Sequence, residues 1–394
     1  MNTFKQIGAV TSISFSTLPQ RFGTSLVIVI GIAGVVAVLL SVLAMATGFQ
    51  KTLSSTGRDD RALVLRGGSN SELASTISRE NTLTILDGPG VRRNAEGKAV
   101  GSAEAVVIVD LPKKSNDASS NVSMRGVGPF GLQARPEIHV VEGRMFSPGL
   151  REIIVGRGAQ KQFKGLDIGQ KLELRGTDWT IVGVFESGGD SHESELIADG
   201  ETVLSAYRRN LFQSVFVQLE SVAAFDAYKK ALTSDPQLSV DVKREREYYA
   251  DQSQGLSKVL SFVAYVVGGI MAVGALFGAL NTMYSAVSTR SQEIATLRAI
   301  GFGNTPVVIS VMLEALVLSL IGALIGSALA WIFFNGNAIS TLGANFTQVV
   351  FKLTVTPALI VLGIIWACVI GTIGGLFPAI RAARLPVAAA LRAT

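Results

Sequence analysis

Four long stretches of this chain contain no aspartate, glutamate, lysine or arginine, and they constrain the fold more than any other feature of the sequence. They run from Phe22 to Gln50, Val259 to Thr289, Ala315 to Phe351 and Leu353 to Ile380. Each meets or exceeds the roughly 20 residues that a helix needs to cross the core of a bilayer. The sequence therefore predicts an α-helical membrane protein with four transmembrane helices, at residues 24–49, 259–287, 307–334 and 357–379.

The composition agrees with this class. Charged residues make up only 16% of the 394 residues, against about 25% in soluble domains. The net charge of +5 does not indicate nucleic-acid binding, because the segment between the first two spans carries a slight acidic excess and the basic residues flank the membrane. We therefore expect membrane lipid, and no nucleic acid, among the partners.

Basic residues beside the spans predict the orientation, because lysine and arginine are enriched on the cytoplasmic side. The short loop between the third and fourth spans holds only Lys352. The flanks assigned to the inside hold Lys5, Arg21, Arg290, Arg298, Arg381, Arg384 and Arg392. Both termini should be cytoplasmic and the large segment after the first span should be outside. No cleaved signal peptide is expected, because the first apolar run is too long.

The outer segment, residues 50–258, predicts a mixed α+β domain inserted between the first and second helices. Strand patterns such as Ile153 to Val155 alternate with helical patterns such as Leu73 to Leu86. Cys368 is the only cysteine and lies in the fourth span, so no intramolecular disulfide can support this domain. The charged run from Lys243 leads into the second span with no helix breaker except Gly255, which predicts a helical stalk continuous with that span.

These patterns divide the chain into nine segments. They are an interfacial N-terminal segment (1–23), the first span (24–49), the outer domain with helical stalks (50–258), the second span (259–287), a cytoplasmic loop (288–306), the third span (307–334), a short outer loop (335–356), the fourth span (357–379) and a cytoplasmic tail (380–394).

The cytoplasmic loop predicts a short amphipathic helix. Its polar side holds Arg290, Glu293 and Arg298, and an apolar stripe is formed by Ile294, Leu297 and Ile300. Gly301 then ends the helix, and Pro306 starts the next one. Two interpretations remain open: the stripe fills a groove on a cytoplasmic partner, or the helix lies in the lipid headgroups.

Small residues at close-packing spacing recur in three spans. The pairs are Gly274 and Gly278, Gly322 and Gly326, and Gly371 and Gly375. Such GxxxG pairs let helix backbones approach closely, which predicts a tight bundle and favours a dimer. Asn281 and Glu314 should lie near the cytoplasmic ends of their spans, where a polar group costs less than at mid-membrane. Glu314 either bonds a neighbouring helix or couples the inner loop to the bundle.

No motif for catalysis is evident. The P-loop motif GxxxxGK[ST] does not occur in the sequence; Gly97-Lys98 is followed by Ala99 instead of serine or threonine. The chain should therefore not bind ATP by a P-loop. Asp190, His192, Glu193 and Glu195 could hold a metal, but the second histidine of a zinc protease helix is missing. We therefore favour a solvated acidic loop there, with no catalytic and no metal-binding residues in the chain.

The order of parts resembles the FtsX-like permeases of MacB-type ABC transporters, which have one span, a large exported domain and three closing spans. The family's loop motif SxRxxEIxxLRAIG is matched by Ser288, Arg290, Glu293, Ile294, Leu297, Arg298, Ala299, Ile300 and Gly301. In the outer segment, Glu152 to Gly156 and Trp179 to Val184 are similar to the exported core of that family, and Gly375 to Arg392 resembles its closing motif. MacB carries its ATPase on the same chain, whereas this permease begins at once.

The resemblance implies a dimer of this permease in the bacterial inner membrane, bound to a dimer of separate ABC ATPase subunits. ATP and Mg²⁺ would be held by the ATPase, so this chain would be no enzyme and bind no cofactor. Arg290 to Gly301 would be the coupling helix of a mechanotransmitter that drives efflux of periplasmic cargo through an adaptor and an outer-membrane channel. Lipoprotein release and non-transporting regulation of a cell-wall hydrolase are the alternatives.

Overall fold

The computed structural model describes residues 3–16, 22–343, 345–384 and 386. Arg21, Arg392 and most of the predicted tail lie outside the described residues, as does the side chain of Lys5. The chain divides into two compact units. We call Met1–Thr47, Val259–Asn337 and Leu353–Thr394 the membrane-helix unit, and Gly48–Lys258 with Ala338–Lys352 the α+β unit.

Both units contain helices, and these are numbered in chain order. They are α1 (Thr3–Ser16), α2 (Phe22–Ser55), α3 (Arg79–Leu86), α4 (Arg157–Gln162), α5 (Gly200–Ala206), α6 (Ala224–Thr233), α7 (Glu245–Thr289), α8 (Ser291–Ala299), α9 (Asn304–Phe334) and α10 (Pro357–Ala383).

Among the described residues, four helices are long and apolar enough to cross a membrane: α2, α7, α9 and α10. Each contains one of the predicted spans and extends beyond it. The charged run that follows Lys243 is helical from Glu245, and α7 continues without a break through the second span to Thr289. This continuity agrees with the predicted stalk. Helix α9 begins at Asn304, two residues before Pro306, because Gly303 is extended and serves as its N-cap.

The strands belong to the α+β unit. They are β1 (Arg61–Arg66), β2 (Gly101–Pro112), β3 (Ser119–Val127), β4 (His139–Gly143), β5 (Glu152–Gly156), β6 (Lys171–Leu174), β7 (Thr177–Glu186), β8 (Leu196–Asp199), β9 (Ser214–Gln218), β10 (Val240–Arg244), β11 (Ala338–Leu342) and β12 (Gln348–Lys352).

In the described part of this unit, ten strands form one mixed sheet in the order β10-β1-β9-β2-β3-β8-β5-β7-β4, with β6 paired to β7. Two of the apolar cores along this sheet pack helices against it. One packs β1 and β9 against α3 and α6, with Tyr228 fully buried. The other packs β2, β3 and β5 against α4 and α5, around Trp179 and Phe163. The predicted mixed α+β architecture is therefore present.

The predicted helix over Leu73 to Leu86 is only half correct. A 3₁₀ turn covers Glu72–Ala74 and α3 starts at Arg79, after Ser78 as its N-cap. Between them, Ile77 exchanges backbone hydrogen bonds of 2.7 and 3.0 Å with Phe212. This distant pairing supplies the backbone with partners that a continuous helix would exclude.

The short loop predicted at 335–356 contains a β-hairpin instead, since β11 and β12 pair antiparallel. The hairpin belongs to the α+β unit. Val350 N donates to Ser194 Oγ at 2.8 Å, Asn121 Nδ2 donates to Phe346 O at 3.0 Å, and the rings of Phe351 and Phe49 meet edge to face. The branched residues of these segments fit a pleated, half-buried surface better than a loop.

Candidate functional site

Helix α8 occupies the predicted coupling loop, and a buried ion pair holds the residue that caps its N-terminus. Arg290 takes the N-cap position, with its side chain only 7% exposed. Its Nη1 donates to Glu314 Oε2 at 3.0 Å, and its Nε donates to Glu293 Oε2 at 3.2 Å. Glu314 lies on α9 and is itself buried. Two roles were considered for Glu314, a bond to a neighbouring helix and a link between the inner loop and the bundle. The structure shows a bond from Glu314 to Arg290, which lies in that loop.

The predicted apolar stripe of α8 does not face a single surface. Ile294 is 5% exposed and belongs to the core of the helix bundle, next to Met283 and Val287. Ile300, at the other end, is 72% exposed. Leu297 and Arg298 are half-buried and Ala299 is exposed. Gly301 takes a φ of +102°, the left-handed conformation expected of a glycine that ends a helix.

Two of the three predicted glycine pairs are contact points inside the bundle. A Cβ at Gly326 would lie 2.5 Å from the carbonyl oxygen of Ala33 on α2, and one at Gly322 would lie 2.9 Å from that of Val29. On α10, a Cβ at Gly371 would overlap the hydroxyl of Ser319, and one at Gly375 would lie 2.7 Å from Ala315 Cβ. The glycines of α9 therefore lie against the backbone of α2, and small side chains of α9 lie against the glycines of α10.

The third pair is different. A Cβ at Gly274 or Gly278 would meet nothing within 4 Å. Asn281, seven residues after Gly274 and on the same side of α7, is also exposed. In the most apolar 18-residue stretch of α7, only 11% of the residues are buried, against 50% in the corresponding stretch of α2. This face of α7 packs against no other described part of the chain.

The α+β unit contains a set of ionisable residues that are all buried. We call it the buried charge cluster, and its members are Arg61, Glu72, Glu104, Arg125, Arg135, Asp190, His192, Glu195 and Glu245. They come from β1, the 3₁₀ turn, β2, β3, the loop before β4, the turn before β8 and the first residue of α7. The cluster therefore connects the start of α7 to three strands of the sheet, β1, β2 and β3, and to the segments between strands.

Arg125 lies at the centre of the cluster. Its guanidinium contacts three carboxylates, those of Glu72, Glu104 and Glu195, at distances from 2.7 to 3.0 Å. Arg135 pairs with Glu104 and lies 3.4 Å from Glu245 Oε1. Removing one partner from such a buried pair typically costs about 3–5 kcal/mol, because the other charge is left without compensation.

The acidic stretch around His192 belongs to this cluster, so the expectation of a solvated loop is wrong for Asp190, His192 and Glu195. Burial alone would lower the pKa of His192, but Asp190 and Glu195 raise that pKa to about 10. Burial raises the pKa of Asp190 to about 6. Burial also opposes ionisation of Glu195, yet Arg125 outweighs it and depresses the pKa of Glu195. Each charge is stabilised by an opposite one. This arrangement is typical of ion pairs that stabilise a fold rather than of a catalytic site.

Sequence reasoning missed most of this cluster. A signal does exist, since Glu104 and Arg125 lie next to apolar residues in β2 and β3. A charged residue buried at such a position is costly unless an opposite charge pairs with it. Their partners, however, come from chain positions up to 70 residues away. Motifs based on short residue spacings would therefore not have identified these residues as partners. Among the described residues, no group of three histidine, cysteine or acidic side chains is arranged to hold a metal.

Two family models match this chain. The one described as "MacB-like periplasmic core domain" covers residues 22–235, and the one described as "FtsX-like permease C-terminal" covers residues 265–387, which include α8 and its ion pair. The chain thus belongs to the MacB/FtsX family of ABC transporter permeases. The resemblance inferred from the loop motif and the order of spans is confirmed.

Its relatives include the "Uncharacterized ABC transporter permease YknZ" of Bacillus subtilis (strain 168), which is 25% identical, with 94% of each chain covered. The "Macrolide export ATP-binding/permease protein MacB" of Bdellovibrio bacteriovorus is 23% identical, and the match covers 96% of this chain but only 60% of that relative. The crystal structure of the extracellular domain of a YknZ from Gram-positive bacteria matches 46% of this chain and 99% of its own, at 16% identity and a TM-score of 0.36.

Proposed function

We propose that this permease works with a separate ATPase polypeptide, and that a dimer of ABC ATPase subunits binds ATP and Mg²⁺ and docks against α8. The chain itself would hydrolyse no ATP. The membrane would be the bacterial inner membrane, with both termini cytoplasmic and the α+β unit in the periplasm. ATP-driven movement of α8 would pass through the membrane helices and change the α+β unit, which drives export of cargo from the periplasmic side.

The geometry of α8 is the observation that carries this proposal. A short helix between two spans is clamped to α9 by the buried pair of Arg290 and Glu314, while Ile300 stays exposed. A force applied to α8 would therefore reach α9 through a short, stiff contact. A helix that merely rests on lipid does not require a buried ion pair. YknZ supports the separate ATPase, since a permease of nearly the same length covers 94% of this chain.

The experiment replaces Ile300 with glutamate. Because Ile300 is 72% exposed, the protein should fold normally, but a charge would then face the apolar groove of the ATPase. We expect at least a ten-fold loss of affinity between the permease in nanodiscs and its purified cognate ATPase, because an unpaired buried charge costs several kcal/mol.

Val222→Glu provides the control, because Val222 is 49% exposed and lies in the α+β unit. This variant should bind the ATPase with unchanged affinity. Equal affinity of the Ile300→Glu variant and the unmodified protein would show that α8 rests on lipid and does not dock.

The open face of α7 supports a dimer of the permease. Gly274 and Gly278 leave the backbone uncovered, and the amide of Asn281 is exposed in the part of α7 that would span the membrane. A second copy of α7 packed there would let the two backbones approach and would give each Asn281 a hydrogen-bonding partner on the other protomer.

Cargo would be handled by the periplasmic α+β unit rather than pass through the spans. A hydrophilic path needs polar groups along its length. Glu314 is the only acid within a predicted span, and it is paired with Arg290. Gly322, Gly326 and Gly371 lie where neighbouring helices are in direct contact, which leaves no space for a path between those helices. A periplasmic adaptor and an outer-membrane channel would then carry the cargo away.

A further inference from the structure

A cavity of about 710 Å³ opens in the α+β unit where its sheet divides. Strand β2 pairs with β9 through Gly101–Glu104 and with β3 from Ala105 onward, so its two neighbours diverge. Helix α3 lines one side of the gap, and the start of α5 with Pro129 and Phe130 lines the other. The volume falls within the roughly 300–1,000 Å³ of pockets that enclose small organic ligands.

The walls of this cavity are largely apolar. Leu83 projects from α3 and is 67% exposed, although it lies in a unit that does not span the membrane. Leu86, Val127 and Phe130 complete the apolar surface around it. A ligand in the cavity would remove the side chain of Leu83 from water, which favours binding in proportion to the apolar area covered.

Six charged side chains line the cavity, and five of them have close partners. They are Arg79, Asp87, Arg93, Lys98, Asp199 and Glu201. Arg79 holds Glu201 with two bonds of 2.7 and 2.5 Å, and Arg93 lies 3.0 Å from Asp87. Asp199 accepts bonds from the backbone nitrogen and hydroxyl of Thr202 as the cap of α5.

Lys98 is held more loosely than the other cations. The carboxylate that it contacts belongs to Glu96, which lies 3.7 Å away and does not line the cavity. The Lys98 ammonium lies 5.5 Å from the centre of the Phe130 ring, so it stands over the apolar wall. An anionic group entering the cavity would therefore find its counter-charge at Lys98.

We propose that this cavity binds an anionic amphiphile, with its apolar body against Leu83 and Phe130 and one negatively charged group beside Lys98. The apolar body gains by leaving water, and the anion gains a cation at the edge of a low-dielectric wall. A cationic amphiphile would be repelled by Lys98, because both groups are positively charged. This site does not depend on the ATPase, so its test stands apart from that of energy coupling.

Titration calorimetry of the full-length protein in nanodiscs, with the heats of empty nanodiscs subtracted, tests the proposal. Octanesulfonate is the anionic probe, and octyltrimethylammonium and 1-octanol have the same chain with a positive or no charge. We expect saturable binding of octanesulfonate. Leu83→Gln should weaken it about ten-fold, because a buried leucine contributes at least that much. Lys98→Gln should weaken octanesulfonate about three-fold or more while leaving 1-octanol unchanged, and Lys98→Arg should restore it.

Two variants of the same unit serve as controls. Val222→Gln and Lys229→Gln change exposed residues that do not line the cavity, and both should bind octanesulfonate as the unmodified protein does. Three results would overturn the proposal: no saturable binding above empty nanodiscs, unchanged affinity in Leu83→Gln, or octyltrimethylammonium binding as tightly as octanesulfonate.

Discussion

The α+β unit and the membrane-helix unit solve the same packing problem in opposite ways. In the α+β unit, eight other buried ionisable residues are grouped around Arg125. In the described part of the membrane-helix unit, a buried ion pair joins Arg290, in the loop between α7 and α9, to Glu314. Elsewhere in that unit, close packing comes from Gly322, Gly326 and Gly371, whose backbones touch neighbouring helices.

This difference follows from the solvent in which each unit folds. Strands and loops that fold in water can bring distant charges together, because each charge stays hydrated until its partner arrives. A charge on a helix in hydrocarbon has no water to hydrate it, so charged residues remain near the helix ends. The helices are then stabilised mainly by close contact between their backbones. A change of charge should therefore harm the α+β unit most, and a change of volume should harm the helix bundle most.

The largest expected effect is the replacement of Arg125 by methionine. Three buried carboxylates would then lose their shared cation, and breaking even one buried pair costs about 3–5 kcal/mol. The α+β unit should lose most of its stability, which limited proteolysis of the purified protein would measure as rapid cleavage between residues 56 and 244.

Arg144→Met is the matched control, because Arg144 pairs with Glu152 but is 56% exposed. Exposed pairs contribute about 0–1 kcal/mol, so this variant should resist proteolysis as the unmodified protein does. Similar protease resistance of the Arg125→Met variant would show that the cluster is not what holds this unit together.

A second experiment compares two glycines with the same spacing motif. Gly326→Leu should destabilise the protomer by at least about 1–3 kcal/mol, because even a Cβ there would lie 2.5 Å from the Ala33 carbonyl oxygen. Gly274→Leu meets open space and should leave the thermal stability of the protomer in detergent unchanged.

In nanodiscs, the Gly274→Leu variant should instead shift the permease from dimer to monomer, which mass photometry would detect. If both leucine variants unfolded at the same lower temperature, the conclusion that nothing covers the Gly274 face of α7 within one protomer would be wrong. A dimer that survives Gly274→Leu would contradict the packing proposed for α7.

The smallest effect, taken per pH unit, concerns His192. The pKa of His192 is raised to about 10 in the folded protein, above its ordinary value near 6.5. The charged His192 thus contributes stability that is complete below about pH 6.5 and is lost as the pH rises towards 10, at no more than about 1.4 kcal/mol per pH unit. Thermal unfolding between pH 6.5 and 10 should show a falling stability, and His192→Gln should flatten this slope.

His139→Gln is the control, since His139 is exposed, and it should keep the slope of the unmodified protein. A slope that persists in the His192→Gln variant would mean that another group of the α+β unit loses its proton in this range.

The sequence was sufficient for the four spans, the mixed α+β domain and the family, because long apolar runs and the loop motif are local signals. It could not distinguish Gly326 from Gly274, since both have identical spacing and only the packed structure shows which face is covered. It also placed His192 in solvent, because its partner Glu245 lies 53 positions further along the chain. The hairpin at 338–352 was taken for a loop because its stability depends on contacts with residues such as Ser194.

The most direct test of mechanical coupling is made in α7 at Gly255, which is exposed and where a Cβ would meet nothing within 4 Å. A flexible Gly/Ser insertion there should break the transmission of force, because a random coil cannot pass on the displacement of a helix. Gly255→Ala, which keeps the helix continuous, is the control. The measurement is the ATP-dependent change in distance between spin labels on the α+β units of the dimer, recorded together with ATP hydrolysis by the complex.

Mechanical coupling predicts that the insertion variant hydrolyses ATP at the rate of the unmodified complex while the change in distance between the labels disappears. The Gly255→Ala variant should keep both. An insertion variant that hydrolyses ATP and still shows the full change in distance would contradict mechanical transmission through α7.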